Sequence, residues 1–101
     1  LFGEDIVRFA KRIPRNPGND RLINQIVGSG TSIGANFCEA NDSVSKKDFQ
    51  CCAKRCIKQP KETRFFLRMI ATAEPSLAEE ARRLYREATE LIRILVTMHK
   101  K

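Results

Sequence analysis

The chain has 101 residues, 42% of them hydrophobic, and 19 Lys+Arg against 12 Asp+Glu give a formal net charge of +7. That length and apolar content predict one small soluble domain over residues 1–101 and exclude a disordered chain. No apolar run approaches the roughly 20 residues of a membrane helix, and no signal-peptide pattern opens the chain, so no membrane contact is expected.

The first helix is read from Phe2, Ile6, Phe9, Ala10 and Ile13, which share one face. Because that pattern is already running at Leu1, residues are expected to precede it. Pro14, Pro17 and Gly18 are expected to close this helix, and Asn19 or Asp20 to cap the next. Leu22, Ile23, Ile26, Val27, Ile33 and Phe37 then recur at helical spacing until Asn41, Asp42 and Ser43 break the pattern. Ser45, with Asp48 three residues on, reads as a capping-box-like start for a third helix. That helix carries Phe49, Cys52, Ala53, Cys56, Ile57, Phe66, Leu67 and Ile70. Pro60 lies inside it and is expected to kink it, with two shorter helices meeting there as the alternative.

Pro75 and Ser76 open a fourth helix. Leu77, Ala81, Leu84, Ala88, Leu91, Leu95 and Met98 alternate steps of four and three, a heptad seam. Tyr85, Ile92 and Val96 widen the seam to the breadth of a bundle core. Glu79, Glu80, Arg82, Arg83, Arg86, Glu87, Glu90 and Arg93 cover the remainder with attractive and repulsive pairs, as a solvated face does. No strand pattern occurs. The predicted fold is all-α, an antiparallel up-down-up-down four-helix bundle.

The second helix contains Gly28, Ser29, Gly30, Thr31, Ser32, Gly34 and Ala35, poor helix formers for the most part. A phosphate-binding loop would need a preceding strand and a Lys-Ser/Thr pair after the glycines, and neither is present. Close packing fits better. Gly30 and Gly34 sit four apart and open a groove in which a neighbouring helix can approach the backbone.

Three stretches give the sequence a family resemblance: QIVGSGTSIGANFCEA at Gln25–Ala40, SKKDF at Ser45–Phe49, and KETRFFLRM at Lys61–Met69. In that order and spacing they resemble the four-helix-bundle proteins of the 23S rRNA intervening-sequence (S23) type. The accessory variability proteins of diversity-generating retroelements are similar. The resemblance covers nearly the whole chain and departs at Pro60, and at Phe66, where a Trp or Tyr is customary before the Leu. It implies a homopentameric ring of bundles. By the retroelement relatives it further implies binding of RNA and of a reverse transcriptase; for the intervening-sequence type it implies no firm activity.

Ser32, Asn36 and Glu39 lie on adjoining turns, with Glu62 and Thr63 expected on the facing helix. Such a set suits acid–base or metal chemistry, but mutual hydrogen bonding that pins helix register is the expected role. Di-iron bundles use Glu-x-x-His pairs, which this chain lacks. Cys38, Cys51, Cys52 and Cys56 suggest zinc only superficially, because adjacent cysteines on a helix cannot aim both sulfurs at one ion. Reduced, packed thiols in a cytoplasmic protein are expected instead, with no cofactor. His99 follows Arg93 by six residues, about 240° around a helix, so the pair does not form the shared face of a helical-bundle ribonuclease. No catalytic residue is expected.

Positive charge concentrates between Ser43 and Ala73. Lys47, Lys54, Lys58, Lys61 and Arg68 follow one another at steps of seven, four, three and seven, a stripe opposite the apolar face. Phe65 is a candidate stacking platform beside Arg64 and Arg68. The first helix adds Arg8, Lys11, Arg12 and Arg15. A chain this short hides only about two-thirds of its unfolded surface, so self-association is expected, and a homo-oligomer would repeat the stripe. The sequence therefore predicts a non-enzymatic, self-associating bundle that binds RNA or DNA through phosphate contacts. A scaffold for another protein is the alternative.

Overall fold

The computed structural model describes the backbone of residues 1–41 and 46–100, and the side chains of residues 1–33, 54 and 56–97. Its elements are α1 (Phe2–Lys11), α2 (Pro17–Asn41), α3 (Lys46–Ala73), a 3-10 turn (Pro75–Leu77) and α4 (Ala78–Lys100). No strand occurs among the described residues. At 1.5 Å per residue, the 28 residues of α3 span about 42 Å, close to the 44 Å long axis of the molecule.

Local chemistry sets the helix ends. Glu4 and Asp5 occupy the first turn of α1, and Arg8 and Lys11 its last, each complementing the helix dipole. Pro17 and Gly18 do not close α1, which ends at Lys11; they begin α2. The cap is Asn16 rather than Asn19 or Asp20, since Asn16 Oδ1 accepts from the Asn19 backbone N–H at 2.8 Å. Pro17 therefore sits at the first helical position, where its missing N–H has no partner to lose. Asn19 is 5% exposed and serves the corner differently. Its Nδ2 donates to the Pro14 carbonyl at 2.9 Å and to Glu74 Oε2 at 3.2 Å, tying the α1–α2 corner to the end of α3. The Ser45 cap expected for α3 lies outside the described residues.

Helix α3 runs unbroken through Pro60, so the two-helix alternative is not what forms. Pro60 is buried on the core side, where its ring adds apolar volume although it cannot donate to the carbonyl four residues back. Hydroxyls within the helices find their acceptors in the helix backbone itself. Thr31, Ser32, Thr63, Thr72, Thr89 and Thr97 each donate to the carbonyl four residues earlier.

The helices neighbour one another in a cycle: α1 on α2, α2 on α3, α3 on α4, and α4 on α1. Among the described residues the diagonal pairs make no backbone contact, as a helical bundle requires. Ile6, Phe9, Ile26, Leu67, Ile70 and Leu84 form the centre of the core. From α4 and the turn before it, Leu77, Ala81, Leu84, Ala88 and Leu95 of the heptad seam are buried, while Leu91 is only half-buried and its neighbour Ile92 is buried in its place. Met98 lies outside the described side chains.

Among the described glycines of α2, Gly30 marks a close approach. A Cβ on Gly30 would lie 2.8 Å from Ile6 Cγ2 and 3.1 Å from Ile6 Cβ and Cγ1, so α1 sits directly on the α2 backbone there. Gly3 of α1 lies across from it, its would-be Cβ 3.5 Å from the Gly30 carbonyl oxygen. Gly28 meets nothing within 4 Å. The expected partner in this groove, Gly34, lies outside the described side chains.

Candidate nucleic-acid interface

The apolar positions of α3 decide which residues face outward. Cys56, Pro60, Thr63, Leu67 and Ile70 are buried, and at about 100° per residue they share one side of the helix. Lys54, Lys58, Lys61 and Arg68 fall on the opposite side within an arc of about 80°, and all are exposed. Lys58 Nζ reaches Glu62 Oε1 at 3.9 Å, a long i,i+4 pair. Among the described residues Lys54, Lys61 and Arg68 form no ion pair. Lys47 lies outside the described side chains.

Elsewhere many of the cations are matched, although among the described residues Lys11, Arg21, Arg82 and Arg86 form no ion pair. Arg8 binds Asp5 at 2.7 Å, Arg12 binds Glu80 across from α1 to α4, and Arg15 binds Asp20. The Arg8 hydrogen bond holds the Asp5 carboxyl below its ordinary value, and Arg15 does the same for Asp20. On α4, Arg83 meets Glu87 at 3.0 Å and Glu80 at 4.0 Å, and Arg93 meets Glu90 at 3.5 Å. The first-helix arginines therefore contribute far less uncompensated charge than the sequence suggests.

Phe65 is 55% exposed and stands between Lys61 and Arg68, near the midline of the lysine arc. Its ring meets that of Phe66 edge-on, with centroids 5.4 Å apart and planes at 77°. Arg64 does not flank it as expected. Its guanidinium lies over the Tyr85 ring, 5.2 Å from the centroid, and Nη1 donates to Thr89 Oγ1 at 3.2 Å. Arg64 is thereby spent on joining α3 to α4.

The polar cluster forms around a different serine. Thr63 is fully buried, and its Oγ1 donates to Ser29 Oγ at 2.9 Å, with the Gln59 carbonyl at 3.0 Å as a second acceptor. Ser29 is 5% exposed and donates to the Ile26 carbonyl at 3.3 Å. Ser32 is half-buried and donates to the Gly28 carbonyl at 2.6 Å. Glu62 turns outward to Lys58 rather than inward beside Thr63. Asn36 and Glu39 lie outside the described side chains, as do Cys38, Cys51, Cys52 and His99. Cys56 is 1% exposed in the core. Among the described residues no group of three or more His, Cys, Asp or Glu is placed to hold a metal ion.

A second surface feature is an apolar groove of about 510 Å³ between α1, α2 and α4, lined by Phe2, Gly3, Gly30, Ile33, Ile94 and Leu95 among others. Ile94 is 50% exposed at its edge. Among the described residues, no helix is long and apolar enough to cross a membrane.

Comparison with known proteins agrees with this architecture. The model of the 23S rRNA-intervening sequence protein family matches residues 1–97. A crystal structure from Bacteroides thetaiotaomicron VPI-5482, of a protein with unknown function from the S23 ribosomal protein family, superimposes with a TM-score of 0.77. The two sequences are 26% identical, and the match covers 100% of both chains. No curated protein matches the sequence.

Proposed function

The chain belongs to the 23S rRNA-intervening sequence protein family, and on that premise we propose that it is a non-enzymatic, self-associating bundle that binds nucleic acid along α3. One observation carries the reading. The outer face of α3 presents Lys54, Lys58, Lys61 and Arg68 together, and Glu62 answers only one of them. A stripe of that kind attracts a phosphate backbone through counterion release and reads no base sequence. Lys47 continues it by spacing.

The bundle in this reading is antiparallel, up-down-up-down, and the Asn19–Glu74 bond between the first and third corners supports that arrangement. Self-association into a ring, a pentamer by the family resemblance, repeats the stripe around one particle in the cytoplasm. The second reading, a scaffold for a protein such as a reverse transcriptase, draws on the apolar groove at α1, α2 and α4.

Binding of a labelled 23S rRNA intervening-sequence transcript tests the proposal. Wild-type protein binds, and the triple variant Lys54→Glu, Lys58→Glu, Lys61→Glu loses affinity for this RNA and for an unrelated RNA alike. Equal affinity of variant and wild type removes the reading. Light scattering checks the assembly, with five protomer masses expected and a monomer contrary to it.

A further inference from the structure

We infer that the nucleic acid held by α3 is single-stranded or looped, with an unpaired base stacked on Phe65. This inference rests on the proposed binding face and names the form of ligand that the face selects.

Phe65 is the anomaly on that face. A large apolar side chain that is 55% exposed gains little from folding, and leaving its surface in water is unfavourable. It does not sit at the border of the core, where partial exposure of a ring is ordinary. Taking Lys54 as reference, Lys58, Lys61, Phe65 and Arg68 lie within about 40° to either side, so the ring stands inside the cationic stripe. Lys61 precedes it by one turn and Arg68 follows it by one. Phe66, packed against the core, holds the Phe65 ring edge-on and limits its rotation.

Duplex backbones use the cations and have no use for the ring, since paired bases are stacked on one another and their faces are closed. Unpaired bases offer an open π-face. The combination of a cationic track with an aromatic platform is the chemistry by which single strands are held without sequence preference. Arg64 is withdrawn onto Tyr85 and Thr89, which leaves the ring flanked by Lys61 and Arg68 along the helix.

The test is fluorescence anisotropy of the full chain with an oligo(U) RNA of about 16 nucleotides and with an RNA duplex of matching length. Wild-type protein is expected to bind the single strand more tightly. Phe65→Ala weakens single-strand binding by about 5- to 150-fold, the range for loss of one base–aromatic stack, and leaves duplex binding unchanged. Phe65→Leu, which keeps apolar bulk without a π-face, falls with Ala, whereas Phe65→Tyr retains binding. Circular dichroism of each variant is expected to match wild type because the side chain is exposed.

Equal binding of both RNAs, with Phe65→Ala silent and Lys54→Glu, Lys58→Glu, Lys61→Glu inactive, overturns the stacking inference and leaves the binding face standing. A wild-type protein that binds neither RNA removes both. A Phe65→Ala variant that loses oligomer mass by light scattering, with RNA binding intact, assigns the ring to a contact between copies and also overturns the inference.

Discussion

Replacing Gly30 with Ala tests how closely α1 and α2 approach. The added methyl would stand 2.8 Å from Ile6 Cγ2 and 3.1 Å from two further Ile6 carbons. Ile6 is fully buried, and its β-branched side chain has one strongly preferred rotamer on a helix, so it cannot swing aside. Overpacking of this kind costs about 1–3 kcal/mol. The better helix propensity of Ala returns about 1 kcal/mol, so the net loss is about 0–2 kcal/mol. Gly28→Ala is the matched control, because its methyl meets nothing within 4 Å and only the propensity gain remains. Urea denaturation followed by circular dichroism should therefore place Gly30→Ala below Gly28→Ala by about 1–3 kcal/mol. Ile6→Ala alone costs about 2–5 kcal/mol, and less in the Gly30→Ala background, where the new methyl fills part of the cavity. A Gly30→Ala protein as stable as Gly28→Ala would refute the close approach and the reason given for glycine at this position.

Three further outcomes follow from the polar contacts. Thr63→Val keeps shape and removes the hydroxyl, so it destabilises by about 0.5–1.5 kcal/mol. Adding Ser29→Ala should then cost less than the sum of the two single changes, and additivity in a denaturation cycle would deny the Ser29–Thr63 bond. Asp5 and Asp20 have carboxyls lowered from 3.8 by hydrogen bonds from Arg8 and Arg15. The stability these pairs add is present above the unfolded carboxylate value and disappears as pH falls through the lower folded one, so the loss is confined to the acid limb. Carboxyl-carbon NMR should show both titrating below 3.8, with Arg8→Gln raising Asp5 alone; an unmoved Asp5 would contradict the assignment. Arg12→Ala removes an exposed pair to Glu80 and should change stability by no more than about 1 kcal/mol in thermal denaturation.

What the sequence revealed was whatever a single helix decides by its own period. Most of the seam from Leu77 to Leu95, the core face of α3 and the outward Lys54, Lys58 and Lys61 follow from 3.6-residue spacing alone, and the structure buries and exposes them accordingly, except that Ile92 is buried where Leu91 was expected. Contacts between helices were less legible. Ser29 and Ser32 lie about 60° apart on α2, and only the rotation of α2 against α3 decides that Ser29 meets Thr63. Arg64 is expected beside Phe65 from the sequence, yet Tyr85 and Thr89, more than twenty residues along the chain, draw it onto α4. Pro17 is ambiguous by itself, because a proline ends one helix and begins another equally well. Asn16 at the preceding position carried the information that decides between them, through a side chain able to cap.

The salt dependence of RNA binding tests the basic face most directly. Each lysine that neutralises a phosphate adds about 0.7 to the slope of log affinity against log salt on a single strand. The variant Lys54→Glu, Lys58→Glu, Lys61→Glu is expected to flatten that slope by about 2 and to weaken binding at every salt concentration. A slope and an affinity identical to wild type would contradict the account, because the charge on α3 would then have no part in what the protein holds.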